Sequence, residues 1–107
     1  MTWEQIKEEV KQWEHLPIDW DGWETPPFPA EEVKGFIHVI DVLDAKNVIP
    51  YWAVPTSDMT MLTEFVSDTH SYKLEVDGNG SMGVMITSNG TVEFHDWDMD
   101  TLKCREF

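Results

Sequence analysis

At 107 residues the chain has the length of one domain, and 21 Asp/Glu against 7 Lys/Arg leave it a net charge of −14. A hydrophobic fraction of 41%, rich in Trp and Phe, excludes a disordered chain in spite of that charge. The excess is even, with 11 acids and 4 bases in residues 1–53 and 10 acids and 3 bases in residues 54–107, so it is no acidic tail. A folded chain of this mass should expose about 6,200 Å², roughly one uncompensated charge per 440 Å². Such a surface repels nucleic acid and anionic lipid and attracts a basic protein partner.

The first predicted element is a helix opened by Thr2-Trp3-Glu4-Gln5, a hydroxyl followed three residues later by Gln, as in a capping box. Trp3, Ile6, Val10 and Trp13 recur at helical spacing, and the helix should stop before Pro17. Residues 16–29 read as an ordered loop, restricted by four prolines and pinned by the aromatics Trp20, Trp23 and Phe28. A second helix is expected over 29–46, with Pro29 in its first turn and Glu31 and Glu32 on the positive end of its dipole. Its buried stripe is Val33, Phe36, Ile37, Ile40 and Leu43, with Gly35 admitting a close neighbour and Asn47 able to take a left-handed cap.

After residue 48 the hydrophobic period changes from 3.6 to 2. Strands are predicted over Pro50–Val54, Met59–Val66 and Tyr72–Val76, the last with Tyr72, Leu74 and Val76 on one face. Asp77-Gly78-Asn79-Gly80 is a hairpin signal, and Met82, Val84 and Ile86 resume the alternation. Ser88-Asn89-Gly90 turns again, and Val92 and Phe94 form the last alternating apolar pair. The expected fold is α+β, a single domain over 1–107 with two N-terminal helices on one face of a four- or five-stranded antiparallel meander.

No arrangement of residues frames a catalytic or metal centre. Asp96-Trp97-Asp98-Met99-Asp100-Thr101 starts like a calcium loop, but Thr101 stands at the turn glycine and Phe107 at the bidentate Glu. His15, His38, His70 and His95 are scattered, and no phosphate loop, dinucleotide fingerprint or nucleophile elbow occurs. Cys104, the single cysteine, lies between Lys103 and Arg105 as an unpaired thiol, which fits a reducing cytoplasm. No apolar run is long enough to span a membrane, and Met1–Gln5 lacks the features of a signal peptide. The expectation is therefore a cytoplasmic, non-enzymatic protein with no cofactor, no metal, no nucleic acid and no membrane among its ligands.

Asp19-Trp20-Asp21-Gly22-Trp23 is the most unusual string. Two carboxylates beside two indoles can hold a cation, a sugar or a partner's arginine, or the indoles can plug the junction between helices and sheet while Asp21-Gly22 turns the chain. Trp20-Asp21-Gly22-Trp23, the prolines, the second helix, Val54-Pro55-Thr56-Ser57-Asp58 and the turn at Asp77-Gly78 together resemble a broad set of small bacterial and phage proteins. Those proteins combine a Trp-Asp-Gly-aromatic loop, a helix, a Pro-Thr-x-Asp turn and an antiparallel sheet. The resemblance covers most of residues 16–94 and departs at Met59-Thr60-Met61, where two glycines often follow the Asp. It implies a prokaryotic or phage setting and the same fold, and supplies no catalytic residues.

Charge and setting together predict an inhibitor that occupies a basic, nucleic-acid-binding site as a nucleic-acid mimic, of the anti-CRISPR or anti-restriction kind. An antitoxin or immunity protein against a basic nuclease has the same electrostatics, and a plain acidic domain acting through its Trp-rich loop is the third reading. The expected partner-binding residues are Asp19, Asp21, Trp23, Glu24, Glu31 and Glu32 around the loop, and Glu93, Asp96, Asp98 and Asp100 near the C-terminus. If the last strand ran on, Asp96, Asp98 and Asp100 would point to one side of it. A free sheet edge would also allow a homodimer.

Overall fold

In the computed structural model, which describes residues 1–107, helix α1 (Trp3–Lys11) begins as its capping box dictates. The Gln5 N–H donates to Thr2 Oγ1 at 3.1 Å, and the Thr2 N–H donates to Gln5 Oε1 at 2.8 Å. A 3₁₀ turn over Gln12–His15 closes the element ahead of Pro17. Helix α2 (Ala30–Ala45) has Pro29 at its N-cap, one position before the expected first turn, and Asn47 takes the left-handed conformation (φ 60°) after its end. Val39 is buried on the α2 stripe, whereas Ile37 only lines its margin.

Five strands follow: β1 (Ile49–Pro55), β2 (Met61–Val66), β3 (Ser71–Val76), β4 (Met82–Ser88) and β5 (Thr91–Trp97). They form one antiparallel meander in the order β1-β2-β3-β4-β5. β2 starts two residues later than its alternation predicts, because Met59 lies in the left-handed region (φ 63°) of the preceding turn. The β4–β5 turn is built on Asn89 and Gly90, both at positive φ (49° and 79°), with Ser88 opposite Thr91. That is the two-residue hairpin whose twist suits flanking strands.

The α1 and α2 stripes join the inward face of the sheet in one apolar core of 22 buried residues. Phe65, Leu74, Val76, Met82 and Ile86 supply the sheet side of it, and Ile6, Val10, Phe36 and Leu43 the helix side. Trp3 spans the two layers: its ring meets Phe65 edge-on at 5.9 Å, and its Nε1–H donates to the Val48 carbonyl at 2.8 Å. The exposed area is 6249 Å², as the chain's mass predicts.

The C-terminus departs from expectation. A third helix, α3 (Met99–Cys104), follows β5 directly and buries Leu102. Strand geometry therefore ends at Trp97, and the expected row of Asp96, Asp98 and Asp100 does not form. Asp98 is instead the N-cap of α3, its carboxylate accepting from the Thr101 N–H at 2.8 Å, and Asp100 sits in the first helical turn. Val92 and Phe94 are not core residues either. In the β4–β5 register the buried Val84 and Met82 face His95 and Trp97, so Val92 and Phe94 point to the opposite side of the sheet.

Candidate functional site

The 16–29 loop is held by its own polar groups. The Asp19 carboxylate accepts from the Glu24 N–H at 2.6 Å, and both residues sit at positive φ (70° and 59°). Asp21 accepts from the Trp23 N–H at 2.9 Å, from the Thr25 hydroxyl, and from the Ser57 hydroxyl at 2.6 Å. Desolvation by the folded loop opposes ionisation of Asp21, but the Ser57, Thr25 and backbone donors outweigh it and bring its pKa down to about 2. Its carboxylate is consumed in joining the loop to the β1–β2 turn.

The two indoles of this loop part company. Trp20 packs on Phe28 at 6.0 Å and donates from Nε1 to the Pro26 carbonyl at 2.9 Å, while Phe28 is buried against Trp13 and Phe36. Trp20 is thus part of the plug. Trp23 is 81% exposed and plugs nothing.

Three groups of acids bear on the site. On the helix faces Glu4, Glu8, Glu31 and Asp41 are paired: Lys7 lies between Asp41 (3.0 Å) and Glu4 (3.3 Å), Lys11 meets Glu8 at 2.9 Å, and Glu31 meets Lys34 at 3.2 Å. The hydrogen bond to Asp41, then that to Glu4, raises the Lys7 pKa. Asp19 and Asp21 are taken up by the loop. The third group gathers at one end of the sheet, around the Asp77–Gly80 turn.

On one side of this turn the N-terminus of α2 descends. A Cβ built on Gly35 would lie 3.8 Å from the Gly78 carbonyl, and one on Gly78 would overlap the Glu32 side chain at 2.6 Å. Glu32 Oε2 is shut off from solvent there without a hydrogen-bond partner. On the other side stands the start of α3, where a Cβ on Gly80 would meet Met99 at 3.8 Å. Glu75, Asp77, Asp96 and Asp98 line a shallow depression of about 500 Å³ between the turn and α3. None of Glu32, Glu75, Asp77, Asp96, Asp98 or Asp100 is in an ion pair. The Thr101 backbone N–H, then its hydroxyl, lowers the Asp98 pKa. No group of three or more His, Cys, Asp or Glu side chains is disposed to hold a metal ion.

The depression opens into a second one, of about 700 Å³, on the sheet face turned away from α1 and α2. Leu62, Met85 and Phe94 line it, with Lys73, Glu75 and Asp96 beside them. Phe94 is 77% exposed, and Val54 and Val92 continue the apolar strip along the same face. This strip was missed in the sequence. Its trace was there: Val92 and Phe94 occupy even positions and Trp97 an odd one, so the strand carries apolar residues on both faces.

Of the expected residues, then, the fold brings Glu32, Asp96, Asp98 and Asp100 to one end of the molecule. It leaves Glu93 on the opposite side of β5 from Asp96, and Asp19, Asp21, Trp23 and Glu24 in the separate loop. No family model matches the chain, and no solved structure matches it. It is similar to succinyl-diaminopimelate desuccinylase 2 of Alteromonas mediterranea, 34% identical over 92 residues, which cover 79% of this chain and 20% of that enzyme. The chain thus spans about a fifth of the length of the curated relative it matches. No helix is long and apolar enough to cross a membrane.

Proposed function

We propose that the protein is a non-enzymatic inhibitor that occupies a basic, nucleic-acid-binding site on a protein partner, as a phage-type anti-defence protein would. The observation that supports this reading best is the set of six carboxyl side chains without ion pairs around the Asp77–Gly80 turn, contributed by β3, the turn itself, β5, the first turn of α2 and the N-cap and first turn of α3. Like charges crowded at one end cost folding energy by self-repulsion, a cost that a cationic partner removes on binding. Beside them, Phe94, Met85 and Leu62 offer the apolar centre that a protein interface needs and an acidic rim cannot supply. An antitoxin against a basic nuclease would use the same surface.

The test is capture of a partner from the native host, followed by its association rate at rising ionic strength. A rate that falls steeply between low and physiological salt is expected, since the Debye length shrinks to about 8 Å at 0.15 M. A flat rate would refute steering by the acidic end.

The desuccinylase similarity favours a second reading, a module that works beside or within an enzyme rather than against one. A chain that matches a fifth of an enzyme's length suits a supporting role better than the whole enzyme's chemistry. Desuccinylation of succinyl-diaminopimelate by the purified chain alone would overturn both readings.

A further inference from the structure

We infer that β5 is a self-pairing edge, through which two copies of the chain join their sheets antiparallel about a two-fold axis at Phe94. The two outer strands of the meander differ in kind. β1 carries Pro50 and Pro55 and an irregular register between Pro50 and Trp52, the devices that blunt an edge. β5 (Thr91–Trp97) has no proline and no bulge, and every residue before Trp97 is exposed. Helices α1 and α2 leave its residues before Trp97 exposed.

Its outward groups follow from the hairpin. With Asn89-Gly90 as a two-residue turn, Ser88 and Thr91 are a hydrogen-bonded pair, and the alternation of antiparallel ladders makes Glu93, His95 and Trp97 bond to β4 as well. Val92, Phe94 and Asp96 therefore aim their N–H and C=O groups away from the sheet. Phe94 is the middle residue of β5. Pairing about it matches the whole strand, Thr91 against Trp97 of the second copy, with no overhang onto α3.

The same register pairs a hydrogen-bond acceptor with a donor. Residues facing each other across such an axis lie on the same sheet face, so Glu93 meets His95 of the other copy, twice. Phe94 meets its own equivalent on the open face. A shift by one residue toward the turn sets Glu93 against Glu93, two carboxylates at the closest cross-strand position. The register about Phe94 sets Val92 against Asp96 at its margins; the opposite shift sets the central Phe94 against Asp96 and leaves Glu93 facing Trp97, with no imidazole to donate to it. A carboxylate and an imidazole placed symmetrically about an apolar midpoint, so that each Glu93 can accept from the other copy's His95, are what a self-complementary, isologous contact requires, and a foreign strand does not.

Sedimentation of the purified chain tests this apart from any partner. Two bodies of charge −14 repel, so the dimer fraction should rise as salt is added, opposite to the trend expected for a basic partner. Phe94→Pro removes an outward N–H without touching the β4 ladder, so it should yield a folded monomer at every salt concentration. In a Cys104→Ser background, Phe94→Cys should oxidise to a cross-linked dimer, because hydrogen-bonded partners stand about 5.5 Å apart, within disulfide reach. Glu93→Cys should not cross-link, its equivalents lying about 8 Å apart in this register. A chain that stays monomeric at high salt, a dimer that survives Phe94→Pro, or cross-linking through Glu93→Cys in preference to Phe94→Cys would overturn the assignment.

Discussion

Ser57, in the turn between β1 and β2, donates its hydroxyl hydrogen to Asp21 Oδ2 at 2.6 Å, fastening the proline-rich loop to the sheet across 36 residues of sequence. The bond makes Asp21 a structural residue and leaves its neighbour Trp23 free. With a folded-state pKa of about 2, below the ordinary 3.8, Asp21 contributes stability that is fully present above pH 3.8 and fades as pH falls through about 2. Asp21→Asn should therefore lower the thermal midpoint by several degrees at pH 7, and the gap to wild type should close below pH 2. Ser57→Ala should reproduce part of the loss. Thermal melts across that pH range check both.

The two indoles of the loop should separate in the same assay. Trp20→Ala removes the ring packed on Phe28 and the bond to Pro26, and should destabilise the fold by about 2–4 kcal/mol, less than the ~3–5 typical of a fully buried aromatic. Trp23→Ala should stay within about 0.5 kcal/mol of wild type, as for an exposed side chain. Equal losses for the two would mean that Trp23 is packed after all.

Asp96 and Asp98 are two residues apart and do different work. Asp98 caps α3, so Asp98→Ala should lower the thermal midpoint while Asp98→Asn, whose amide oxygen still caps, should nearly restore it. Asp96→Asn should leave stability unchanged or slightly raised by relieving repulsion with Glu75 and Asp98. If the site at this end is a partner's, Asp96→Asn weakens binding at unaltered stability, which calorimetry on the captured partner can read.

Gly78 and Glu32 should be coupled. Gly78→Ala pushes a Cβ into the Glu32 side chain and should destabilise, whereas Glu32→Ala removes a carboxylate oxygen that is buried unpaired and should cost little. In the double variant the Cβ has room, so the two changes should be non-additive by about 0.5–3 kcal/mol in a double-mutant cycle. Simple additivity would mean that α2 stands clear of the turn.

Local physics made much of this fold legible in the sequence. The Thr2–Gln5 capping box, the α2 stripe (with Val39 in place of Ile37), the Asn89-Gly90 hairpin and the alternation of Tyr72, Leu74 and Val76 each depend on residues within a few positions of one another, and apart from that one exchange each appears where the sequence puts it. The uniform acidity was equally plain, because composition needs no coordinates. What the sequence could not decide was where one element stops covering another. Val92 and Phe94 have the pattern of core residues, but the β4–β5 register turns them to the sheet face opposite α1 and α2, which no second layer covers. Asp98 is an ordinary acid in the sequence and becomes a cap only because Leu102 finds a place in the core and α3 forms to reach it. The gathering of Glu32 with Asp77, Asp98 and Asp100 is likewise tertiary. It arises because α2 meets the β3–β4 turn at Gly35 and Gly78, a contact between residues 43 positions apart that no local spacing encodes.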